Sequence, residues 1–144
     1  MKIALGCDPA GLKLKNTIIE YLSPLHELED LGCYTTDPAD YPDYAALVAE
    51  AVRSGNAERG ILICGTGHGV SIAANRHRGI RAVVCYSALS AVMSREHNDS
   101  NVLCFGEWQV PPDSVYHIID AWLFGKFSKG QAHVRRIEKM DGLS

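Results

Sequence analysis

The chain has 144 residues, 47% apolar and 22% charged, which is enough to fill the core of one domain and too little for several. Its formal net charge is −3 and its basic residues are scattered, which argues against a nucleic-acid partner or an acidic membrane surface. We therefore expect a small molecule as its ligand.

The five cysteines are odd in number and have no paired spacing, which argues against a disulfide framework and favours a reducing compartment. The apolar run at the N-terminus is too short for a signal peptide, and no segment is long enough to span a bilayer. We expect a cytoplasmic protein.

Short apolar segments alternate along the chain with stretches of helical periodicity. The predicted strands are Lys2–Cys7, His26–Leu31, Gly60–Cys64, Arg81–Cys85 and Asn101–Phe105. The predicted helices are Leu12–Leu22, Tyr41–Arg53, Val70–Asn75, Ala88–His97, Ser114–Phe124 and a basic terminal helix near Val134–Met140. Strand and helix in alternation predict an α/β fold, a parallel sheet with helices on both faces.

Ligands of open parallel sheets bind beyond the carboxyl ends of the strands. The residues that follow each predicted strand are therefore the candidates for a site. They are Asp8 and Pro9, the segment 65–69, Tyr86 and Ser87, and Glu107 and Trp108.

The most informative of these segments runs from Ile61 to Asn75, where a strand that ends in cysteine leads into alternating glycines and a helix. Backbone N–H groups of such a loop can converge on one anionic oxygen. Alternating glycines also occur in nucleotide-binding loops and in plain tight turns. A dinucleotide site fits poorly, because no second strand ending in an acid follows at the usual distance.

Cys64 stands at the end of this strand. Cysteine is among the most buried residue types, so a packing role is one interpretation. The other follows from its position, because the helix dipole and nearby amides favour a thiolate that could act as a base. We take Cys33, Cys85 and Cys104 as core or loop residues and expect Cys7 to pack inward.

His97 stands at the C-terminal end of the fourth predicted helix, where it could cap the helix or act as an acid or base. We expect surface or structural roles for His26, His77 and His117. No histidine has metal-ligand spacing with the cysteines, so we predict no metal site.

Six motifs are spread over nearly the whole chain: Gly6–Asp8, Asp40–Ala45, Gly60–Gly67, Ser71–Asn75, Arg95–Asp99 and Arg135–Ile137. In order and spacing they resemble those of the ribose-5-phosphate isomerase B family, which also includes galactose-6-phosphate isomerase subunits.

The resemblance implies a Rossmann-like three-layer α/β/α sandwich with a five-stranded parallel sheet, in a single domain over residues 1–144. It also implies a homodimer, which could pair further into a tetramer, with the C-terminal helix at about 133–141 contributing to the dimer and the site. The implied reaction is an aldose–ketose interconversion through a cis-enediolate without metal or organic cofactor. Ribose 5-phosphate to ribulose 5-phosphate is the expected conversion.

The resemblance also implies residue roles. Cys64 would move the proton, while Thr66 and the amides of Gly65, Gly67, His68 and Gly69 would stabilise the enediolate oxygen. His97 would open the sugar ring. Asn98 and Asp8 would hold sugar hydroxyls, and Tyr41 would line the pocket.

The chain departs from the family pattern where a substrate phosphate would be bound. Pro9 replaces a histidine, Trp108 replaces an arginine, and Ala132 replaces the first arginine of the terminal helix, although Arg136 is retained. Tyr86 and Ser87 also replace a common histidine–aspartate pair. A charge-assisted contact contributes roughly 1.5–3 kcal/mol, so these losses bear on affinity for a phosphate monoester.

Two interpretations of these departures remain open. Either His68, His133, Arg135 or Arg76 supplies replacement contacts and the substrate is a sugar phosphate, or the site accepts an unphosphorylated or differently substituted sugar that packs on Trp108. Two hypotheses assign the chain to other functional classes. They are a non-catalytic sugar-binding subunit and a flavodoxin-like or receiver-type module. The second of these is disfavoured, because the segment directly after the first strand offers only Asp8 instead of an acidic cluster.

Overall fold

Residues 1–143, which the computed structural model describes, form five β-strands and six α-helices. The strands are β1 (Lys2–Cys7), β2 (Glu27–Asp30), β3 (Arg59–Cys64), β4 (Ala82–Val84) and β5 (Val102–Gly106). The helices are α1 (Leu12–Leu22), α2 (Tyr41–Arg53), α3 (His68–Ala74), α4 (Ala88–Asn98), α5 (Val115–Phe124) and α6 (Gln131–Asp141). Two short 3₁₀ turns precede α1 and α5, at Pro9–Gly11 and Pro112–Ser114.

The five strands form one parallel sheet in the order β2-β1-β3-β5-β4. In register, Cys7 of β1 lies opposite Ile63 of β3, and Cys64 lies opposite Gly106 of β5. The three central strands therefore end at one edge of the sheet. The predicted five-stranded parallel α/β fold is confirmed.

Two separate cores cover the two faces of the sheet, because successive side chains of a strand point to opposite sides. One face buries Ile3, Leu5, Ile61, Ile63 and Phe105 against α1, α4 and α5, with the fully buried Trp122 among them. The other face buries Ala4, Leu62 and Val102 against small residues of α2 and α3. This arrangement is the three-layer sandwich that the resemblance implied.

Several element boundaries differ from the prediction. Helix α3 begins at His68 rather than Val70, because Gly67 has φ +81° and turns the chain directly into the helix. Helix α6 starts at Gln131, immediately after Gly130. Strand β4 is only three residues long. Arg81 directly precedes β4. Its Nε donates to the carbonyls of Asn98 and Asp99, where α4 ends.

A buried ammonium group fixes the segment after β2 against the end of β1. Lys15 on α1 is fully buried, and its Nζ donates to Asp30 Oδ1 and to the Cys33 carbonyl, both at 2.6 Å. The Cys33 N–H in turn donates to the Cys7 carbonyl at 2.8 Å. Cys7 directly precedes Asp8, so this network holds the chain in place where it enters the site.

Among residues 1–143, no helix combines the length and the apolar character that crossing a membrane requires.

Candidate active site

A pocket of about 280 Å³ opens where β1 and β3 end. Seven of its lining residues were predicted from the sequence, and the eighth, Ala10, was not. The lining residues are Asp8, Ala10, Tyr41, Cys64, Gly65, Thr66, Gly69 and Trp108. A larger cavity of about 940 Å³ lies between residues 75–83 and the end of α6, away from the thiol and the glycine loop. We place the chemistry in the smaller pocket because the reactive groups line it.

Cys64 is the last residue of β3, and its side chain faces the glycine loop. The residue is only 5% exposed, and its Sγ accepts a hydrogen bond from the Gly67 N–H at 3.1 Å. A Cβ on Gly67 would lie 2.9 Å from the Phe105 carbonyl carbon, in a backbone conformation that other residues rarely adopt. Glycine at this position therefore lets the loop fold over the sulfur.

The loop presents fewer free donors than the sequence indicated. The Gly67 N–H is used by the Cys64 sulfur, and the His68 N–H donates to Thr66 Oγ1 at 3.2 Å. Within residues 1–143, the N–H groups of Gly65 and Thr66 donate to no other group. These two amides beside the sulfur are the donors that a developing oxyanion could meet.

Three of the other cysteines, Cys7, Cys85 and Cys104, lie in environments that favour the neutral thiol. Burial raises the pKa of Cys7 to about 12, although the nearby Lys15 ammonium opposes the shift. Burial also raises the pKa of Cys85 and of Cys104. The expected inward packing of Cys7 is confirmed, since it belongs to the core beneath α1 and α5.

Two aromatic rings line the pocket, and each lies against a loop glycine. A Cβ on Gly65 would lie 2.5–2.7 Å from three ring atoms of Trp108. A Cβ on Gly69 would lie 2.6–3.0 Å from three ring atoms of Tyr41. No side chain fits at either glycine while the rings stay in place, so the glycines set the width of the pocket as well as the course of the loop.

Asp8 brings a carboxylate to the pocket from the end of β1. Its Oδ1 accepts a hydrogen bond from the Gly11 N–H at 3.2 Å and so caps the 3₁₀ turn, in which Pro9 is the first residue. Burial raises the pKa of this carboxyl group, and backbone hydrogen bonds from Gly11 and Ala10 oppose that shift. The capped 3₁₀ turn also explains why Ala10 lines the pocket, because Ala10 is the middle residue of that turn. Nothing in the residue type of Ala10 could have indicated this.

The remaining residues after the strands support the pocket from outside. Glu107 reaches across to α1, where its Oε1 accepts the Leu14 N–H at 2.6 Å. The Tyr86 hydroxyl lies 2.9 Å from the Thr66 carbonyl oxygen and 3.0 Å from Gln109 Oε1, and burial raises its pKa. Both side chains brace the loop and the start of α1.

His97 and Asn98 do not line this pocket within one chain. They end α4, next to the start of β5, whereas Cys64 lies opposite the end of β5. A strand of that length spans about 13 Å. The His97 ring stacks on His133 of α6, with centroids 4.6 Å apart and planes 8° apart.

The residues of α6 and of the glycine loop that were predicted to bind the substrate, Ala132, Arg136 and His68, likewise do not line the pocket. Ala132 is half-buried and Arg136 is exposed on α6. Asn98 lines the larger cavity instead. The His68 side chain is exposed at the start of α3. One chain thus brings Cys64, Thr66, Asp8, Tyr41 and Trp108 together and leaves His97 and Arg136 apart.

Among the described residues, no group of three or more His, Cys, Asp or Glu side chains is arranged to hold a metal ion.

A thiol, an amide-lined glycine loop and a carboxylate at the carboxyl edge of a parallel sheet define an α/β enzyme of the Rossmann-like class. Comparison with known proteins gives the family. The pattern of the family described as Ribose/Galactose Isomerase matches residues 3–140. The chain belongs to this family and is an isomerase.

Individual relatives are similar along the whole chain. Ribose-5-phosphate isomerase B of Escherichia coli K12 is 47% identical over 143 residues, which are 99% of this chain and 95% of that protein. D-erythrulose-4-phosphate isomerase of Pectobacterium atrosepticum is 38% identical, over 97% and 93% of the two chains. The structure of ribose-5-phosphate isomerase B from Clostridium thermocellum superposes with a TM-score of 0.95 at 47% identity, covering 98% of this chain and 95% of that one.

Proposed function

We propose that this chain interconverts an aldose phosphate and a ketose phosphate, with ribose 5-phosphate and ribulose 5-phosphate as the pair, and that Cys64 moves the proton. The observation that carries the proposal is the Cys64 sulfur facing the glycine loop, next to the free N–H groups of Gly65 and Thr66. The similarity to ribose-5-phosphate isomerase B of Escherichia coli supports the choice of sugar.

The proposed reaction needs one base and a pair of hydrogen-bond donors. The Cys64 thiolate takes the proton from C2 of the open-chain aldose, and the electrons of that C–H bond form the C1–C2 double bond. The carbonyl oxygen on C1 becomes an oxyanion that the Gly65 and Thr66 amides stabilise. The Cys64 thiol then returns the proton to C1, while the O2 proton moves to O1, so atoms and charge balance without a cofactor.

We propose further that the working site combines two copies of the chain. Within one chain, His97 and Asn98 lie about the length of β5 away from Cys64, so they can reach a Cys64 pocket only in another copy. The second copy would also bring α6, whose Arg136 would contact the phosphate while His97 opens the ring. Residues of both chains at each pocket make a homodimer the smallest active form.

Mixing two inactive variants tests the shared site. Cys64→Ser and His97→Ala proteins should each have little activity on cyclic ribose 5-phosphate. After joint unfolding and refolding, half of the dimers carry one of each chain, and one of their two pockets is intact. The mixture should therefore regain about a quarter of the wild-type activity. A mixture no more active than its components would show that both residues act within one chain.

The substrate itself is tested by isomerisation in deuterium oxide. We expect ribose 5-phosphate to be converted, with deuterium appearing at C1 or C2 of the recovered sugar. Free ribose and free hexoses serve as comparisons, because Pro9, Trp108 and Ala132 favour a second candidate, a sugar without the phosphate. D-erythrulose 4-phosphate is a further comparison, given the similarity to the Pectobacterium enzyme. Binding without exchange would identify a sugar-binding subunit.

We propose a cytoplasmic location, which the five free and buried cysteines support.

A further inference from the structure

The pocket at Cys64 contains almost no charge that could attract a phosphate. Of the side chains that line it, Asp8 is a carboxylate and Cys64 a thiol, and none is a lysine, arginine or histidine within residues 1–143. The three ionisable side chains of the lining, Asp8, Cys64 and Tyr41, each carry a negative charge when they ionise. The part of a sugar that enters this pocket is therefore expected to be uncharged.

Trp108 occupies a fixed position at this pocket. The backbone N–H of Trp108 donates to the Gly65 carbonyl at 3.0 Å. The preceding residue, Glu107, is held against α1 because its side chain accepts the Leu14 N–H. Its ring lies against Gly65, yet 73% of the residue is exposed. An indole that is held in place and open to solvent on one side can bind a ligand with little loss of entropy.

The Tyr41 ring stands against Gly69 at the other end of the loop, and 39% of Tyr41 is exposed. The Cys64 sulfur lies on the strand that leads into the loop between these two glycines. Both rings line the pocket that contains this cysteine, so a sugar that offers a carbon to the sulfur lies close to them. Sugars have faces made of C–H groups, and aromatic rings bury such apolar surface favourably.

We propose that Trp108 is a specificity-determining residue that packs against the C–H face of the uncharged part of the sugar, while any phosphate lies outside the pocket. The inference rests on the proposed function, because it takes the substrate to be a sugar. It assigns Trp108 the selection of that sugar by its apolar face rather than by its charge.

The intrinsic fluorescence of the protein tests this contact without turnover. The chain has two tryptophans, and Trp122 is fully buried with its Nε1 bonded to Ser100 Oγ, so a ligand in the pocket can affect only Trp108 directly. In Cys64→Ser protein, ribose 5-phosphate should change the emission saturably, and free ribose should cause the same change at higher concentration. Inorganic phosphate should leave it unchanged. The same titration of the Cys64→Ser/Trp108→Phe protein should show no change.

Kinetics of the otherwise wild-type enzyme test the contribution to catalysis. Trp108→Ala should lower kcat/KM for ribose 5-phosphate about tenfold, which corresponds to about 1.4 kcal/mol, and Trp108→Phe should lower it less. The matched control is Leu25→Ala, which truncates an apolar side chain that is 71% exposed in the α1–β2 connection. The control should keep wild-type kcat/KM.

Selectivity has its own readout. Trp108→Arg, which adds a cation beside the pocket, should raise the ratio of kcat/KM for ribose 5-phosphate over free ribose about tenfold. An unchanged ratio would overturn the assignment of specificity to Trp108.

The outcomes separate the two proposals. Saturable fluorescence changes without any isomerisation would contradict the proposed function and leave the Trp108 contact standing. Isomerisation that is insensitive to Trp108→Ala, with no fluorescence response, would overturn the contact and leave the isomerase standing.

Discussion

Replacing Cys64 by serine is expected to lower kcat for ribose 5-phosphate isomerisation by about a thousandfold, because a positioned base typically contributes 10²–10⁴ in rate. A serine hydroxyl at the end of β3 can still accept the Gly67 N–H, but it does not ionise near neutral pH. The loop should keep its shape while the base is lost. Coupled measurement of ribulose 5-phosphate formation and of deuterium incorporation gives the rate.

The matched control for this substitution is Cys33→Ser. Cys33 is also a buried cysteine, and its Sγ donates to the Thr35 carbonyl at 3.3 Å, a hydrogen bond that serine can make. Cys33 does not line the pocket, so we expect a kcat near that of the unmodified protein. If Cys64→Ser kept most of its kcat, the sulfur would have no part in the proton transfer.

Gly106→Ala is expected to have the second largest effect, at least about a hundredfold loss in kcat/KM, because misplacing reacting groups by 1 Å can cost that much. Gly106 ends β5 opposite Cys64, and a Cβ there would lie 2.4–2.7 Å from backbone atoms of Thr66. Backbone cannot yield as a flexible side chain can. The loop must therefore shift, together with the Thr66 amide and the Gly67 N–H that donates to the Cys64 sulfur.

Gly142→Ala provides the comparison, since it adds the same methyl group where the nearest atom is 3.4 Å away. It should leave kcat/KM unchanged. Circular dichroism and urea denaturation should show that Gly106→Ala protein is folded but less stable, which separates a displaced loop from an unfolded chain. Wild-type activity in Gly106→Ala protein would mean that the loop geometry does not limit the reaction.

The order of the strands and helices was predictable from local patterns. A short apolar run indicates a buried strand, and apolar residues with a 3.6-residue period indicate a helix. Strand β1 and helices α1 and α2 were predicted with the observed bounds. The start of α3 was missed by two residues. The reason is that His68 and Gly69 carry no helical signal, and the left-handed turn at Gly67 that leads into the helix is a backbone property.

Most of the pocket could also be predicted, because parallel strands deliver the residues after them to one edge. Asp8, Cys64 and Trp108 were found in this way. Ala10 was not, since a 3₁₀ turn capped by Asp8 carries it there. The sequence also could not show that the Gly67 and His68 N–H groups donate to Cys64 and Thr66, because hydrogen bonds within a loop depend on the path of its backbone.

The sequence by itself determined the alternation of strands and helices, the edge of the sheet at which the pocket lies, and which cysteine stands there. These follow from periodicity and from position relative to strand ends, which are local. The tertiary structure decided that Trp108 and Tyr41 stand against Gly65 and Gly69, and that His97 lies apart from Cys64 within one chain. Those facts are distances between residues far apart in sequence, and such distances are fixed only when the helices pack on the sheet.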